Sequence, residues 1–472
     1  MGTPDFAMSI GGRTATAANR IDVINPATEQ VAGRVPDCSR EQLDEAVAAA
    51  RAAFPAWRDT PYADRQAALG AIAGVLMEHA EELKSLLTAE QGKPHADALG
   101  EIHAAAWWIG EVAKNELPVT VTDAMPGQRS VTRHVPLGVV GAIVPWNFPV
   151  LLAIWKIGPA LLTGNTLLLK PSPNTPLATL RLAELLQPLL PAGVLNVITG
   201  GDDLGPWMTA HPGIDKISFT GSTATGRRVM ASAAANLKRL TLELGGNDAA
   251  IVLDDVDVDA IAEPLFWAAF KNSGQVCVAA KRIYVDDKVY APLAAALARV
   301  AADASMGDGA EQGVTLGPVQ NRAQFERVKA LVADSRDAGH DFLVGGGEHD
   351  GAGFFVPVTI VDNPPEQSRV VQEEAFGPIV PLLRFTDLDD AIARANASEY
   401  GLAGSVWSSD PDRAAAVAAR METGTVWINS AQNLTPYAAF AGQKQSGLGV
   451  ENGLDGLLEF TAVQTIHSAR AE

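Results

Sequence analysis

Hydrophobic and polar positions along this chain follow two periods, and the helical period dominates its first part. After a loose arm at 1–20 and a short extended segment at 21–26, apolar residues recur at helical spacing from Leu43 to Phe54. Ser39 and Gln42 fit a capping box at the start of that helix. The pattern predicts two more amphipathic helices at about 63–87 and 94–115. We expect the adjacent Trp107 and Trp108 to lie in the core, with the alternative that one of them lines a cavity.

From residue 129 onward, short apolar runs alternate with helical segments. The pattern predicts strands at 129–135, 139–144, 167–169, 194–198, 216–219 and 239–242, with a helix at about 177–189. Most of these strands end in polar or glycine-rich residues, and open parallel sheets bind ligands at such ends. The fold class is therefore predicted to be α/β, with a nucleotide site. Later segments at 250–253, 282–285, 353–360 and 425–428 suit a second α/β sheet.

The loop that begins at Gly221 is a candidate phosphate site. It would place backbone N–H groups and the Ser222 hydroxyl at a helix N-terminus, where a pyrophosphate is favoured. The loop matches neither the G-x-G-x-x-G fingerprint nor a Walker loop, and glycine turns also serve packing. Both interpretations therefore stay open for this loop.

Composition narrows the range of partners and locations. The 472 residues are 47% hydrophobic, enough for two or three domains, because single cores stop growing near ~250–300 residues. The net charge of −19 argues against nucleic-acid and anionic-membrane partners. The two cysteines, Cys38 and Cys277, cannot form a disulfide framework, and residues 1–20 have no signal-peptide core, so we expect a cytoplasmic location. The eight histidines lack metal-ligand spacing, so no catalytic metal is expected.

Cys277 stands in a turn-prone stretch of small residues, Asn-Ser-Gly-Gln-Val-Cys. A free thiol has a pKa of about 8.5, so a few per cent is thiolate near neutrality, and a nearby backbone N–H would raise that fraction. The competing interpretation is a small buried hydrophobe without chemistry.

Six separated motifs give this cysteine a context. They are Trp146-Asn147, Lys170-Pro-Ser172, Gly221-Ser-Thr223, Glu243-Leu-Gly-Gly246, Gly274-Gln-Val-Cys277 and Glu373-Glu-Ala-Phe-Gly-Pro378. In this order they closely resemble the aldehyde dehydrogenase superfamily, and the match runs from about residue 25 to residue 449. The resemblance implies an NAD(P)-dependent, non-acylating aldehyde dehydrogenase. It also implies a Rossmann-like cofactor-binding domain at 1–116 and 136–244, an α/β catalytic domain at 245–457, and a small β oligomerisation element at 117–135 and 458–472.

The resemblance assigns three catalytic residues. Cys277 would attack the aldehyde to form a thiohemiacetal and then a thioester, Asn147 would stabilise the oxyanion, and Glu243 would activate the hydrolytic water. Asn147 has the alternative of capping the following helix, and Glu243 that of a surface or capping residue. Acyl-transferring members generally lack this glutamate, so Glu243 favours hydrolysis over thioester transfer to coenzyme A.

The resemblance also implies a cofactor site. The matching positions are Ile143, Val144, Trp146, Lys170, Ser172, Pro173, Gly221, Ser222, Leu244, Gln324, Glu374 and Phe376. Lys170 would hold the adenosine ribose, and Glu374 the nicotinamide ribose. Many NAD-preferring relatives carry a glutamate where this chain has Pro173, and proline can neither bind the ribose hydroxyls nor repel a 2′-phosphate. NAD is therefore the expected cofactor, with NADP as the alternative.

The expected substrate positions are apolar. They are Trp108, Phe148, Trp155, Val276, Val278 and Phe440. Aromatic or medium-chain aliphatic aldehydes fit such residues best, with a semialdehyde or betaine-type aldehyde as alternatives. The family pattern implies a homodimer or homotetramer, because another subunit would cover the exposed strand edges. The remaining alternative is a protein of this fold that has no catalytic activity.

Overall fold

The computed structural model describes residues 4–123 and 128–469, and the bounds of its elements are as follows. The strands are β1 Met8–Ile10, β2 Arg13–Ala15, β3 Arg20–Ile24, β4 Val31–Pro36, β5 Thr120–Thr122, β6 Gln128–Pro136, β7 Val139–Ile143, β8 Thr166–Lys170, β9 Leu195–Val197, β10 Lys216–Thr220, β11 Arg239–Glu243, β12 Ala249–Val252, β13 Arg282–Asp286, β14 Asp341–Val344, β15 Thr359–Asp362, β16 Ile379–Phe385, β17 Tyr400–Gly401, β18 Ala403–Trp407, β19 Thr425–Ile428, β20 Gln443–Lys444, β21 Gly447–Leu448 and β22 Thr461–Ala469. The helices are α1 Arg40–Asp59, α2 Tyr62–Glu78, α3 Ala80–Gln91, α4 His95–Val112, α5 Pro149–Leu162, α6 Leu177–Leu186, α7 Leu204–Ala210, α8 Thr223–Ala233, α9 Val258–Phe270, α10 Asp287–Asp303, α11 Arg322–Asp337, α12 Arg369–Gln372, α13 Leu388–Asn396, α14 Pro411–Ala418 and α15 Gly453–Leu458.

The first large sheet has the strand order β2-β1-β9-β8-β7-β10-β11-β21. Its five central strands, β9 to β11, are parallel, and their order reverses between β7 and β10. The register pairs Ile143 with Lys170 and Thr220 with Glu243. Each of these four residues ends its strand, so they share the sheet edge where doubly wound folds bind ligands. The α/β class with a Rossmann-like sheet is confirmed.

The predicted loose arm at 1–20 is wrong for part of its length. Strand β1 pairs antiparallel with β9 and with β2, which extends the first sheet at its edge. Met8 and Ile10 are buried in the same core as Leu43 and Val47 of α1. A three-residue strand is too short to show a period, so only packing against α1 reveals it.

The predicted helix at 63–87 is two helices, α2 and α3, that meet at His79. The backbone of His79 (φ −103°, ψ 17°) leaves the helical region without any proline or glycine to announce the break. The capping box of Ser39 and Gln42 is confirmed by both of its hydrogen bonds. Placing both tryptophans in the core is wrong: Trp108 is 3% exposed and Trp107 is 43% exposed, because adjacent helix positions differ by about 100° in direction.

The second large sheet has the strand order β14-β15-β16-β13-β12-β18-β19. Its strands are parallel except β14. The strand predicted at 353–360 forms only from Thr359, because Gly353 adopts a positive φ of 90° and Pro357 has no N–H to donate. Cys277 lies in the connection between α9 and β13.

Two features connect these sheets. Strand β21 pairs antiparallel with β11 and thereby adds a strand from the end of the chain to the first sheet. The core beside the first sheet also contains Val276, Val278 and Phe440. The segment that carries Cys277 is therefore packed onto the first sheet's helices, although the domain boundaries themselves stay a prediction.

A third, smaller sheet has the order β22-β6-β5. It joins the two segments predicted as the oligomerisation element, with β22 paired to β6 from Thr461 opposite Pro136 to Ala469 opposite Gln128. Residues 124–127 and 470–472 of that predicted element lie outside the described residues. Over the ranges 4–123 and 128–469, no helix is both long and apolar enough to cross a membrane.

Candidate active site

The loop before Cys277 has an unusual backbone. Asn272, Ser273 and Gly274 follow one another with φ values of 51°, 54° and 72°. A non-glycine residue in this region costs about 1–3 kcal/mol, so the surroundings must hold the loop in place. A Cβ on Gly274 would lie 2.2 Å from the carbonyl oxygen of Gly377. The loop therefore fits closely against the Glu373 to Pro378 motif, which explains why glycine stands at this position.

A cavity of about 310 Å³ lies beside this loop, and all three predicted catalytic residues line it. All six predicted substrate residues also line it: Trp108, Phe148, Trp155, Val276, Val278 and Phe440. Leu244, predicted as a cofactor residue, also lines this cavity, and the structure adds wall residues that sequence reasoning missed: Lys93, Asp97, Gly100, Glu101, Ala104, Trp107, Leu151, Leu152, Thr220, Lys271, Asn272, Gln432 and Leu434. Several of them lie one helical turn from predicted residues on α4 and α5. Helical spacing could therefore have predicted that they line the same cavity.

The Asn147 side chain connects the segment before α5 to the loop that precedes Cys277. Its amide Nδ2 donates to the backbone oxygen of Gln275 at 3.0 Å, two residues before the cysteine. The amide does not cap α5, whose N-cap residue is Phe148 and has no side-chain cap. The capping alternative for Asn147 is therefore wrong, and its amide is held at the cavity wall.

The Cys277 thiol is not poised as a thiolate. Burial raises the pKa of Cys277 to about 12, and the charges of Asp248 and Glu243 act in the same direction. Lys281 opposes this effect, and its Nζ donates to the backbone oxygen of Cys277 at 2.6 Å. The expectation of a partly ionised thiol is not met, so a base must accept the proton when the sulfur attacks.

Glu243 contributes a carboxyl group to the same cavity wall. It is buried, and neither of its carboxylate oxygens has a hydrogen-bond partner among the described residues. Burial raises the pKa of Glu243 well above its usual value; the charge of Glu451 adds to this, while Lys156 opposes it. Lys156 and Glu451 form a buried ion pair. Burial therefore favours the uncharged form of Glu243, and its carboxyl oxygens have lone pairs available to a water.

A second cavity, of about 550 Å³, opens at the carboxyl ends of β7, β8 and β10. Of the predicted cofactor residues, Ile143, Lys170 and Pro173 line it. Sequence reasoning missed its other wall residues: Gly201, Asp202, Gly205, Pro206, Thr209, Phe219, Thr225, Arg228, Val229 and Ser232. Burial lowers the pKa of Lys170 to about 8, although the charges of Asp202 and Asp37 oppose the shift. The cavity thus offers cationic and hydroxyl groups to a nucleotide.

The Gly221 loop leads into α8, and its neighbours Phe219 and Thr225 line this cavity, whereas the predicted residues Gly221 and Ser222 do not. Ser222 is the N-cap of α8, and its hydroxyl accepts from the backbone N–H of Thr225. A Cβ on Gly221 would lie 2.5 Å from the ring of Phe219, so packing is one reason for the glycine. Helix-terminal N–H groups, a cationic side chain and a cavity of this size fit a dinucleotide phosphate.

The remaining predicted cofactor residues lie outside the second cavity. Glu374 accepts from the N–H of Gly246 at 3.1 Å, and Phe376 packs edge-to-face on Trp146 with ring centroids 5.3 Å apart. Gln324 donates to the backbone oxygens of Ala375 and Phe376, so it supports that loop. Val144 and Ser172 are buried and line neither cavity, and Leu244 lines the first one.

Similarity to known proteins agrees with this arrangement. A profile described as "Aldehyde dehydrogenase family" matches residues 13–466. The chain belongs to the aldehyde dehydrogenase family. Members of this family oxidise aldehydes to carboxylic acids with NAD(P).

Individual aldehyde dehydrogenases resemble it across nearly their whole length. A "Probable aldehyde dehydrogenase" of Pseudomonas is 44% identical over 98% of this chain and 94% of that protein. The NADP-dependent succinate-semialdehyde dehydrogenase of Escherichia coli is 39% identical over 95% and 94%, and the phenylacetaldehyde dehydrogenase of Pseudomonas fluorescens is 38% identical over 97% and 95%. The structure of an NAD-dependent aldehyde dehydrogenase from Sinorhizobium meliloti superposes with a TM-score of 0.96 at 33% identity, over 100% of this chain and 96% of that one. The substrates and cofactors named for these relatives differ, although their sequence identities to this chain all lie between 33% and 44%.

The raised pKa of Glu243 predicts how the stability of the protein changes with pH. Above the usual carboxyl pKa, the unfolded chain releases this proton while the folded chain keeps it, so the free energy of unfolding falls as pH rises. Glu243→Gln removes this effect. We expect the melting temperature of the variant, relative to the parent, to increase from about pH 5 to about pH 9. The exposed Glu263 provides the control Glu263→Gln, and a pH-independent difference for Glu243→Gln would contradict the assignment.

Proposed function

We propose that this protein oxidises apolar aromatic or medium-chain aliphatic aldehydes to carboxylic acids with NAD(P). The supporting observation is that Cys277, Asn147 and Glu243 line one cavity whose other walls are largely aromatic and aliphatic. An aldehyde with an apolar group can bury that group against these walls while its carbonyl reaches the three polar side chains. Burial of apolar surface favours such a substrate by about 25 cal/mol per Å².

The charges of the cavity support an uncharged substrate. Among the described residues that line it, the cationic side chains are Lys93 and Lys271, and Lys93 is ion-paired with Glu101. Asp97 adds a carboxylate to the wall. A dicarboxylic semialdehyde would therefore have Lys271 as its available partner, which makes such a substrate the second candidate. An aldehyde panel that contains both classes tests the proposal through kcat/KM.

In the proposed reaction, the Cys277 sulfur attacks the aldehyde carbon, and the flat carbonyl becomes a tetrahedral oxyanion. Asn147 would donate its side-chain amide to that oxygen; losing one such donor typically costs about 10²–10³ in rate. The thiol loses its proton as the bond forms, and the ionised carboxylate of Glu243 is the candidate acceptor. Glu243 would then activate a water that hydrolyses the Cys277 thioester.

The second cavity would hold the cofactor. Lys170, the Ser222 loop and Arg228 would contact its adenosine and phosphate groups, and Glu374 its nicotinamide ribose. When bound, NAD(P) supplies the hydride acceptor for the oxidation. NAD is the proposed cofactor and NADP the alternative, since Pro173 carries no carboxylate and Arg228 lines the same cavity.

We also propose that the β22-β6-β5 sheet pairs with another subunit in a homodimer or homotetramer. Val463 and Ile466 on β22 and Val121 on β5 are exposed apolar residues of this sheet. A partner subunit that covers them would bury both the side chains and an open strand edge.

The nucleophile makes the first prediction of the proposal. Cys277→Ala removes the sulfur that must bond to the aldehyde, so turnover should fall below a few per cent of the parent while cofactor binding persists. Cys38→Ala is the matched control, because Cys38 is buried in a core cluster and lines neither cavity. Reduced-cofactor absorbance measures turnover, and fluorescence titration measures binding. Substantial activity in the Cys277 variant would rule out the covalent route.

A second prediction separates the two half-reactions through Glu243. Glu243→Gln keeps the size and removes the base, and losing a general base typically costs about 10²–10⁴ in rate. If deacylation alone depends on Glu243, a rapid burst of reduced cofactor near one per active site should precede very slow turnover. Added hydroxylamine should speed breakdown of the stalled thioester, and coenzyme A serves as the test for acyl transfer. Normal steady-state rates would refute the role of Glu243, whereas loss of the burst would assign it to thiol activation.

A third prediction concerns cofactor choice. Pro173→Glu adds a carboxylate to the second cavity, where it would repel a 2′-phosphate and bind ribose hydroxyls. The ratio of kcat/KM for NADP to that for NAD should therefore fall. Pro191→Glu, at an exposed position after α6, is the matched control. An unchanged ratio in Pro173→Glu would mean that Pro173 does not lie at the adenosine ribose.

A further inference from the structure

A buried ion pair between Lys93 and Glu101 lines the substrate cavity and has no part in the proposed chemistry. Lys93 lies between α3 and α4, Glu101 lies on α4, and both side chains are 0% exposed. The Lys93 ammonium donates to the Glu101 carboxylate. Taking two charges out of water is costly, and apolar residues often serve stability as well as such a pair does. The hydrogen bonds of Lys93 and Glu101 therefore indicate what the pair contributes besides stability.

The contacts of Lys93 converge on the Asn147 backbone. The Lys93 Nζ donates to the Asn147 backbone oxygen at 2.9 Å and lies 4.0 Å from the centroid of the Phe148 ring. The same Asn147 oxygen accepts from Nδ2 of Asn272 at 3.1 Å. Two buried donors thus fix the peptide plane that follows the Asn147 side chain.

The contacts of Glu101 fix the next part of the chain. Its Oε1 accepts from the N–H of Val150 at 2.9 Å and from the N–H of Leu151 at 3.1 Å. These groups belong to the first turn of α5, whose N-terminus attracts a carboxylate. Lys93 and Glu101 together connect α4, the start of α5 and the Asn147 backbone.

We propose that the Lys93–Glu101 pair is a positioning device that aims the Asn147 amide at the developing oxyanion. This inference rests on the proposed function, in which Asn147 is the oxyanion donor. The pair holds the backbone on the carboxyl side of Asn147, while Gln275 holds its side chain. A misplacement of about 1 Å can cost about 10² in rate, so a rigid backbone at this residue affects the first half-reaction.

The decisive variant is the double substitution Lys93→Met and Glu101→Gln. It removes both charges together, so neither is left buried without a partner, and the amide that replaces the Glu101 carboxylate keeps an oxygen acceptor for the two N–H groups of α5. We expect the first-turnover rate of reduced-cofactor formation to fall by about 10-fold to 100-fold, with the cofactor Kd unchanged. The control is Lys238→Met, since Lys238 is a buried lysine that donates to the backbone oxygens of His211 and Ile214 and lines neither cavity.

An Asn147→Ala background distinguishes positioning from general loss of structure. If the pair acts through Asn147, the double substitution should slow the first turnover by less than about threefold in that background, because coupled residues are not additive. The inference would be overturned if the double substitution slowed the first turnover by the full ~10-fold to 100-fold in the Asn147→Ala background as well. An unchanged first-turnover rate in the parent background would also overturn it. If Asn147→Ala alone leaves the rate unchanged, the proposed function of Asn147 fails, and the inference fails with it.

Discussion

The structure depends on one junction, where the loop before Cys277 meets the segment between β7 and α5 that carries Asn147. The amide of Asn147 donates to the backbone oxygen of Gln275, and Asn272 donates back to the Asn147 oxygen. These bonds join the segment that follows β7 of the first large sheet to the segment that precedes β13 of the second. Because the loop passes through left-handed backbone conformations, it needs such external partners to persist. The junction sets where the nucleophile lies relative to the proposed oxyanion donor.

Burial governs the chemistry at this junction. The same low-polarity surroundings raise the pKa of Cys277 and of Glu243, which favours the uncharged form of both groups. The raised pKa of Glu243 costs the folded protein stability as pH rises, and such local costs are common at functional sites. The stability of this region and its proposed reactivity therefore oppose each other.

The two cavities divide recognition between them. The first is walled by aromatic and aliphatic side chains, which select by apolar burial, and the second offers Lys170, Arg228 and the start of α8, which suit phosphate and ribose groups. Both open at the carboxyl ends of the first sheet's parallel strands. This placement explains how a chain with a net charge of −19 can still present a local site for an anionic cofactor.

The sequence by itself determined the α/β class, the family, and nine of the residues that line the first cavity, because ordered motifs and strand ends are local patterns. It also predicted the capping box of Ser39 and Gln42, where a few neighbouring residues decide the structure. Only the tertiary structure decided the pairing of β1 with β9, the exposure of Trp107, the raised pKa of Cys277 and the placement of Lys93 against Asn147. Each of these depends on residues far apart in the chain, whose contacts and burial arise only when the sheets and helices pack.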